Sequence, residues 1–209
     1  MMRFLTLFLI QIAFFKGYSQ ERMEPFLKIG GYFSYSQQIL GQDNFIVHSR
    51  SSRYNTGYRV VEDRVYTTKS GILFEHDINN NVYLQAGLGV SKQKFDALYV
   101  CPVCDPAEEE IRLKYVEIPI SVFRSWTDGN IRPITGLGLV SRFKQVGRYE
   151  RDFSLDSNMS VGLGVYPTKK IEFRLLGIFS LAIVSPYPKY YSNKSLGLSA
   201  SLLFDIGRQ

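Results

Sequence analysis

Beyond its first twenty residues, the 209-residue chain has no apolar run approaching the roughly 20 residues a transmembrane helix needs. It has no Lys/Arg run and no basic helix, so a formal charge of +6 implies no nucleic-acid partner. No window has helical periodicity, and none longer than a turn is rich in Ala, Leu, Glu and Lys. Only two cysteines and two histidines occur, and His76, at the opposite end of its strand from the cysteine loop, does not converge with the rest to complete the four ligands of a zinc centre. Linkers and low-complexity tracts are absent as well. What remains is one domain without helices.

The first residues form a separate unit. "MMR" gives a positive start, "FLTLFLIQIAFF" (4–15) is apolar, and "KGYSQ" places Gly17 and Ser19 as a signal-peptidase site requires. Residues 1–19 are expected to be a secretory signal peptide, cleaved to leave Gln20 first, with 20–209 as the mature domain. Without Arg3 and Lys16, the formal charge falls from +6 to +4.

Read with period two, the mature chain resolves into eight segments in which every second residue is apolar: about 26–39, 65–78, 82–96, 111–126, 131–145, 155–167, 170–184 and 194–206. In 82–96, Val82, Leu84, Ala86, Leu88 and Val90 oppose Tyr83, Gln85, Gly87, Gly89, Ser91 and Gln93. The connections alternate between tight turns ("NNN", "TDGN", "PTKK") and long loops (roughly 40–64, 96–110, 145–154 and 185–193). This predicts an all-β fold, an eight-stranded antiparallel up-and-down transmembrane β-barrel in the outer membrane. Short turns and termini face the periplasm and long loops face outward.

In such a barrel the apolar face meets lipid and the polar face lines the lumen. The polar face carries Lys28, Glu75, Asp77, Glu117, Arg132, Glu172, Arg174 and Asp205, charges of both signs that can pair. It also carries Gly30, Gly87, Gly89, Gly136, Gly138, Gly162, Gly164 and Gly197. An eight-stranded barrel is only wide enough for packed side chains. Glycine therefore offsets long inward residues such as Tyr32, Tyr83, Tyr115 and Tyr166, and relieves strand curvature. A phosphate-binding loop would need a third glycine and a following helix, which no repeat has. Two aromatic girdles are expected, with Phe26, Trp126 and Phe173 at the inner interface and Tyr35, Phe95 and Phe143 at the outer.

The most distinctive segment is "LKYVEIPISVFRSW" (113–126). Val116, Ile118, Ile120 and Val122 make a lipid-facing row, with Tyr115, Glu117, Pro119 and Ser121 between them facing inward. A proline inside a central strand removes a ladder donor and predicts a bulge or a local break in pairing. The Tyr-x-Glu-Ile-Pro pattern (Tyr115, Glu117, Ile118, Pro119) resembles the PorT-like outer-membrane β-barrel family of Bacteroidota. So do the stretches "GILFEHDINNNVYLQAGLGVSKQKF" before it and "IRPITGLGLVSRF" after it. The resemblance implies an outer-membrane barrel of mostly unassigned function, whose namesake is associated with the type IX secretion apparatus.

Candidates for chemistry are few. Cys101 and Cys104 ("CPVC") are read as a disulfide clip in an oxidising compartment, with metal binding or redox chemistry as alternatives. His48 is the one outward histidine, and no carboxylate is placed beside it by spacing. Glu117 and Glu172 are read as structural partners of lumen cations, against an acid/base pair. The expectation is a non-enzymatic barrel with no cofactor, a structural or accessory component of envelope or secretion function. Its partners are outer-membrane lipid, lipopolysaccharide and envelope or secretion-apparatus proteins. Two alternatives remain: a lipid-modifying barrel enzyme, and a secreted lipocalin-like binder with an apolar interior.

Overall fold

The computed structural model describes residues 27–39, 45–48, 57–60, 64–79, 81–100, 105, 107–146, 153–168, 170–184 and 194–206. The described residues form ten strands: β1 (Leu27–Ile39), β2 (Phe45–His48), β3 (Gly57–Val60), β4 (Arg64–Asn79), β5 (Val82–Val100), β6 (Ala107–Ser125), β7 (Ile131–Val146), β8 (Phe153–Thr168), β9 (Ile171–Val184) and β10 (Lys194–Asp205). Eight of them pair antiparallel with their neighbours in the order β5-β4-β1-β10-β9-β8-β7-β6, and pairing of β5 with β6 closes the ring. Closure leaves these strands no free edge across the bilayer, the condition for crossing hydrocarbon with β-structure.

The stagger of the barrel can be followed along its inward-facing residues. Lys28 pairs with Glu75, then Gln85, Ser121, Gly138, Asn158, Ser180 and Ser195, and the path returns to β1 at Gln38, ten residues beyond its start. Such a shear goes with strands tilted by roughly 35–45°.

Two expectations about the loops need correction. The first long loop, 40–64, contains β2 and β3, and β3 pairs with β5 from Gly57↔Val100 to Val60↔Ala97. The second, 96–110, is mostly strand, with β5 and β6 pairing as far as Tyr99↔Ala107. Acidic "AEEE" has poor strand propensity, but above the bilayer Ala107, Glu108 and Glu110 are exposed to water and the ladder below extends through the segment.

Pro119 breaks its ladder without a bulge. Pairing between β5 and β6 has the same register at Ala86↔Ile120 and Gly89↔Glu117, but Gly87↔Pro119 and Leu88↔Ile118 are missing. Both missing pairs need an amide donor at residue 119, which proline lacks. The ring instead covers a glycine: a Cβ on Gly87 would lie 3.1 Å from Pro119 Cγ.

Apolar residues cover the outside. Leu88, Ile120, Met159, Val161, Leu175 and Leu198 are each half or more exposed, on five different strands. A continuous apolar belt of this kind is suited to acyl chains and not to water. Among the described residues no helix is long and apolar enough to cross a membrane, and the crossing is made by strands. Below the belt, Arg124 lies over the Trp126 ring at 4.6 Å, with Phe173 also outward. Above it, Tyr35 stacks on Tyr66 at 5.6 Å and Phe143 packs on Phe153 at 5.3 Å. Phe95 does not join this upper girdle. It is 2% exposed and points into the barrel, because the parity set by Tyr83 and Gln85 continues unbroken to it. Phe26 lies outside the described residues.

Candidate functional site

The only interior a functional site can occupy within the bilayer is the lumen, which is filled in layers. Nearest the short turns is an ionic cluster. Arg174 on β9 is fully buried; its Nη1 and Nη2 reach Glu75 Oε2 and Oε1 at 2.5 and 2.7 Å, a two-pronged fork. The same guanidinium donates from Nε and Nη2 to the two oxygens of Glu172, the second bond at 2.8 Å. Lys28 Nζ joins both glutamates, at 3.0 Å to Glu75 and 3.1 Å to Glu172, and lies 3.7 Å from Asp77. Gln85 Nε2 donates to Glu75 Oε2 at 3.2 Å. Two cations thus serve three carboxylates, as buried charges require.

Aromatic rings form the next layer. The Arg174 guanidinium lies 4.6 Å from the Tyr83 ring centre and 5.7 Å from that of Phe123. Tyr83, Phe123, Ile134 and Leu176 pack together, with Ile178 against them. Glycines make room for the rings: a Cβ on Gly136 would lie 2.4 Å from Phe123 Cδ1, and one on Gly89 would lie 2.2 Å from Tyr32 Oη.

A second ionic cluster lies toward the long loops. Glu117 Oε1 is 3.6 Å from both Lys69 Nζ and Arg142 Nε, and Arg142 also pairs with Asp156. Between this cluster and the apolar layer is a cavity of about 70 Å³, walled by Leu73, Phe123, Val140 and Leu176 below and by Tyr32, Lys69, Glu117 and several serines above. Tyr32 Oη, Glu117 Oε1 and Asn158 Oδ1 are buried there without a protein hydrogen-bond partner, and the volume is sufficient for water.

The structure thus divides the residues singled out by sequence. It brings Lys28, Glu75, Asp77, Glu172 and Arg174 together, and sets Glu117 in a separate cluster. Arg132 belongs to neither. It stays by the 127–130 turn, donating to Gly129 O at 2.8 Å and lying 4.2 Å from the centre of the Tyr166 ring. Asp205, opposite Lys28 in register, is half-buried at the same end. Tyr115, Glu117 and Pro119 point inward and Ile118 outward. Cys101, Cys104 and the His48 side chain lie outside the described residues.

Sequence reasoning missed Lys69, Arg142 and Asp156. Each shares inward parity with a residue already assigned to the lumen (Glu75, Arg132 and Gly162), so extending the alternation to the strand ends would have found them. It also missed the apolar layer. Leu73, Leu176 and Leu203 stand next to lipid-facing residues in "GILFEH", "RLLGIF" and "SLLFD". Consecutive apolar residues were the available signal.

No family model and no curated protein matches the chain. Solved structures do. Neisserial surface protein A aligns with a TM-score of 0.53 at 12% identity, over 86% of this chain and 97% of that one. The outer membrane protein OprG from Pseudomonas aeruginosa aligns with a TM-score of 0.54 at 11% identity, over 86% and 92%. At such identities the likeness is one of fold, and with the lipid-facing belt it makes this chain a closed eight-stranded barrel of the outer-membrane type.

Proposed function

We propose that the protein is a non-enzymatic, plugged outer-membrane barrel, exported by its first 19 residues, that serves the envelope as a structural or accessory component. The observation supporting this is the filled lumen: two ionic clusters with an aromatic and aliphatic layer between them leave a closed interior in place of a pore. Glu117 and Glu172, the two carboxylates weighed as an acid/base pair, are each engaged by cations. Surface work then falls to the outer end, where β5 and β6 rise beyond the apolar belt and β3 pairs with β5. The finer reading is a PorT-like accessory of secretion, supported by Tyr115, Glu117, Ile118 and Pro119. Its partners would be envelope or secretion-apparatus proteins alongside lipid and lipopolysaccharide.

Co-purification from detergent-solubilised outer membranes tests the accessory role. A reproducible envelope protein travelling with the barrel is the expected result, and a barrel that always travels alone argues against it. In planar bilayers the purified protein should give no stable conductance steps, whereas a steady open channel contradicts the plug. A lipid A profile altered by His48→Ala would favour the lipid-modifying alternative.

A further inference from the structure

The outer face of the β5–β6 hairpin carries charges that its own pairing does not balance. Going up the lipid-facing side, the apolar cross-strand pairs end at Val90 opposite Val116. The next outward pair is Lys92 opposite Lys114, and the one after is Lys94 opposite Arg112. All four side chains are exposed. Like charges directly opposite in an antiparallel ladder repel. The upper pair is bridged: Glu110 meets Lys94 Nζ at 2.5 Å and also pairs with Arg112. The lower pair has no such bridge. Beside Lys92 on β4 is Thr68, beside Lys114 on β7 is Val146, and along their own strands the outward neighbours are the valines and the other two cations. None of the ion pairs among the described residues includes Lys92 or Lys114.

Their neighbours also define their height. Tyr66, stacked on Tyr35, stands beside Lys94, while Phe143, packed on Phe153, stands beside Val116. The lysines therefore lie between aromatic residues of the outer interface, one pleat above the last acyl-facing valines. That is the level of lipid headgroups.

We propose that Lys92 and Lys114 bind a phosphate group of an anionic lipid in the outer leaflet, with Lys94 and Arg112 extending the site upward. A lipid, not a soluble anion, is the occupant because the lysines sit directly above Val90 and Val116. A ligand with a phosphate over acyl chains satisfies both levels at once.

The inference rests on the barrel being seated in a bilayer. The test uses the full mature chain in nanodiscs of phosphatidylcholine and bisphosphorylated lipid A, with lipids retained after detergent release counted by native mass spectrometry. The wild type should keep lipid A in preference to phosphatidylcholine. Lys92→Gln/Lys114→Gln should lower that preference roughly thirty-fold, the loss of two lysine–headgroup contacts, and Lys194→Gln, on β10 across the barrel, should preserve it. The double variant should also unfold later than wild type in lipid-free nonionic detergent, where repulsion alone is removed, and earlier in the lipid A discs. Unchanged preference in the double variant overturns the site. So does inorganic phosphate raising the detergent midpoint as much as lipid A does, since the site would then serve a soluble anion. A barrel retaining both lipids without preference overturns the phosphate site alone, and one retaining neither overturns the bilayer seating with it.

Discussion

Arg174→Ala should destabilise the folded barrel by roughly 3–5 kcal/mol, the usual cost of removing one partner from a buried ion pair. The guanidinium is fully buried and is the one group that forks both Glu75 and Glu172. Without it, two carboxylates with almost no exposure share Lys28, which also faces Asp77. Most of the loss is therefore the stranding of anions and not the forfeited bonds. That has a testable corollary: Arg174→Met combined with Glu75→Gln and Glu172→Gln should recover most of the stability, with Lys28 keeping Asp77 as its partner. The measurement is urea unfolding of the refolded barrel in micelles, followed by the fluorescence of the single tryptophan, Trp126. A loss below about 1 kcal/mol for Arg174→Ala would mean the carboxylates are solvated, and the plug would have to be abandoned.

Adding one methyl group at Gly30 or Gly162 should cost about 3 kcal/mol or more, at or beyond the upper end of ordinary overpacking. A Cβ at Gly30 would lie 2.0 Å from the backbone oxygen of Leu202, and one at Gly162 would lie 2.0 Å from that of Leu175. The obstacle is main chain of the adjacent strand, which cannot turn aside as a side chain can, so the ladder itself must shift. Gly31 and Gly177 are the internal controls. They point outward, with nearest contacts of 3.7 and 3.5 Å, and their alanine variants should stay within about 0.5 kcal/mol of wild type. Folded and unfolded bands on an unheated gel separate the two classes. Equal behaviour of Gly162→Ala and Gly177→Ala would contradict the inward and outward assignment of β8 and β9.

The eight barrel strands were legible because each is long and keeps its alternation across the bilayer. The bounds read for β5 and β6 fell short only above the belt, where "DALYV" and "AEEEIR" no longer contrast lipid with lumen. There both faces meet water, so the sequence has no two environments to alternate between. Phe95 was misassigned for a related reason. Aromatic identity and closeness to the membrane edge suggested a girdle residue, but strand parity decides direction, and parity turns Phe95 inward. Pro119 shows the reverse. A covalent property of one residue, the missing amide hydrogen, predicted a fault in the ladder and located it.

Parity is local: each residue's face follows from its neighbours two positions away, so the sequence alone determined the number of strands in the closed ring and the division between lipid and lumen along them. Which lumen residue meets which is not local. Lys28 and Glu172 are 144 positions apart, and they touch because closure with a ten-residue shear brings β1 and β9 to the same height inside the ring. Arg132 had the right parity and still joined no cluster, since its position along β7 leaves it beside the turn. Tertiary structure alone decided the ion pairs, the apolar layer between them and the placement of Lys92 opposite Lys114, because stagger and tilt are properties of the closed ring that no single strand carries.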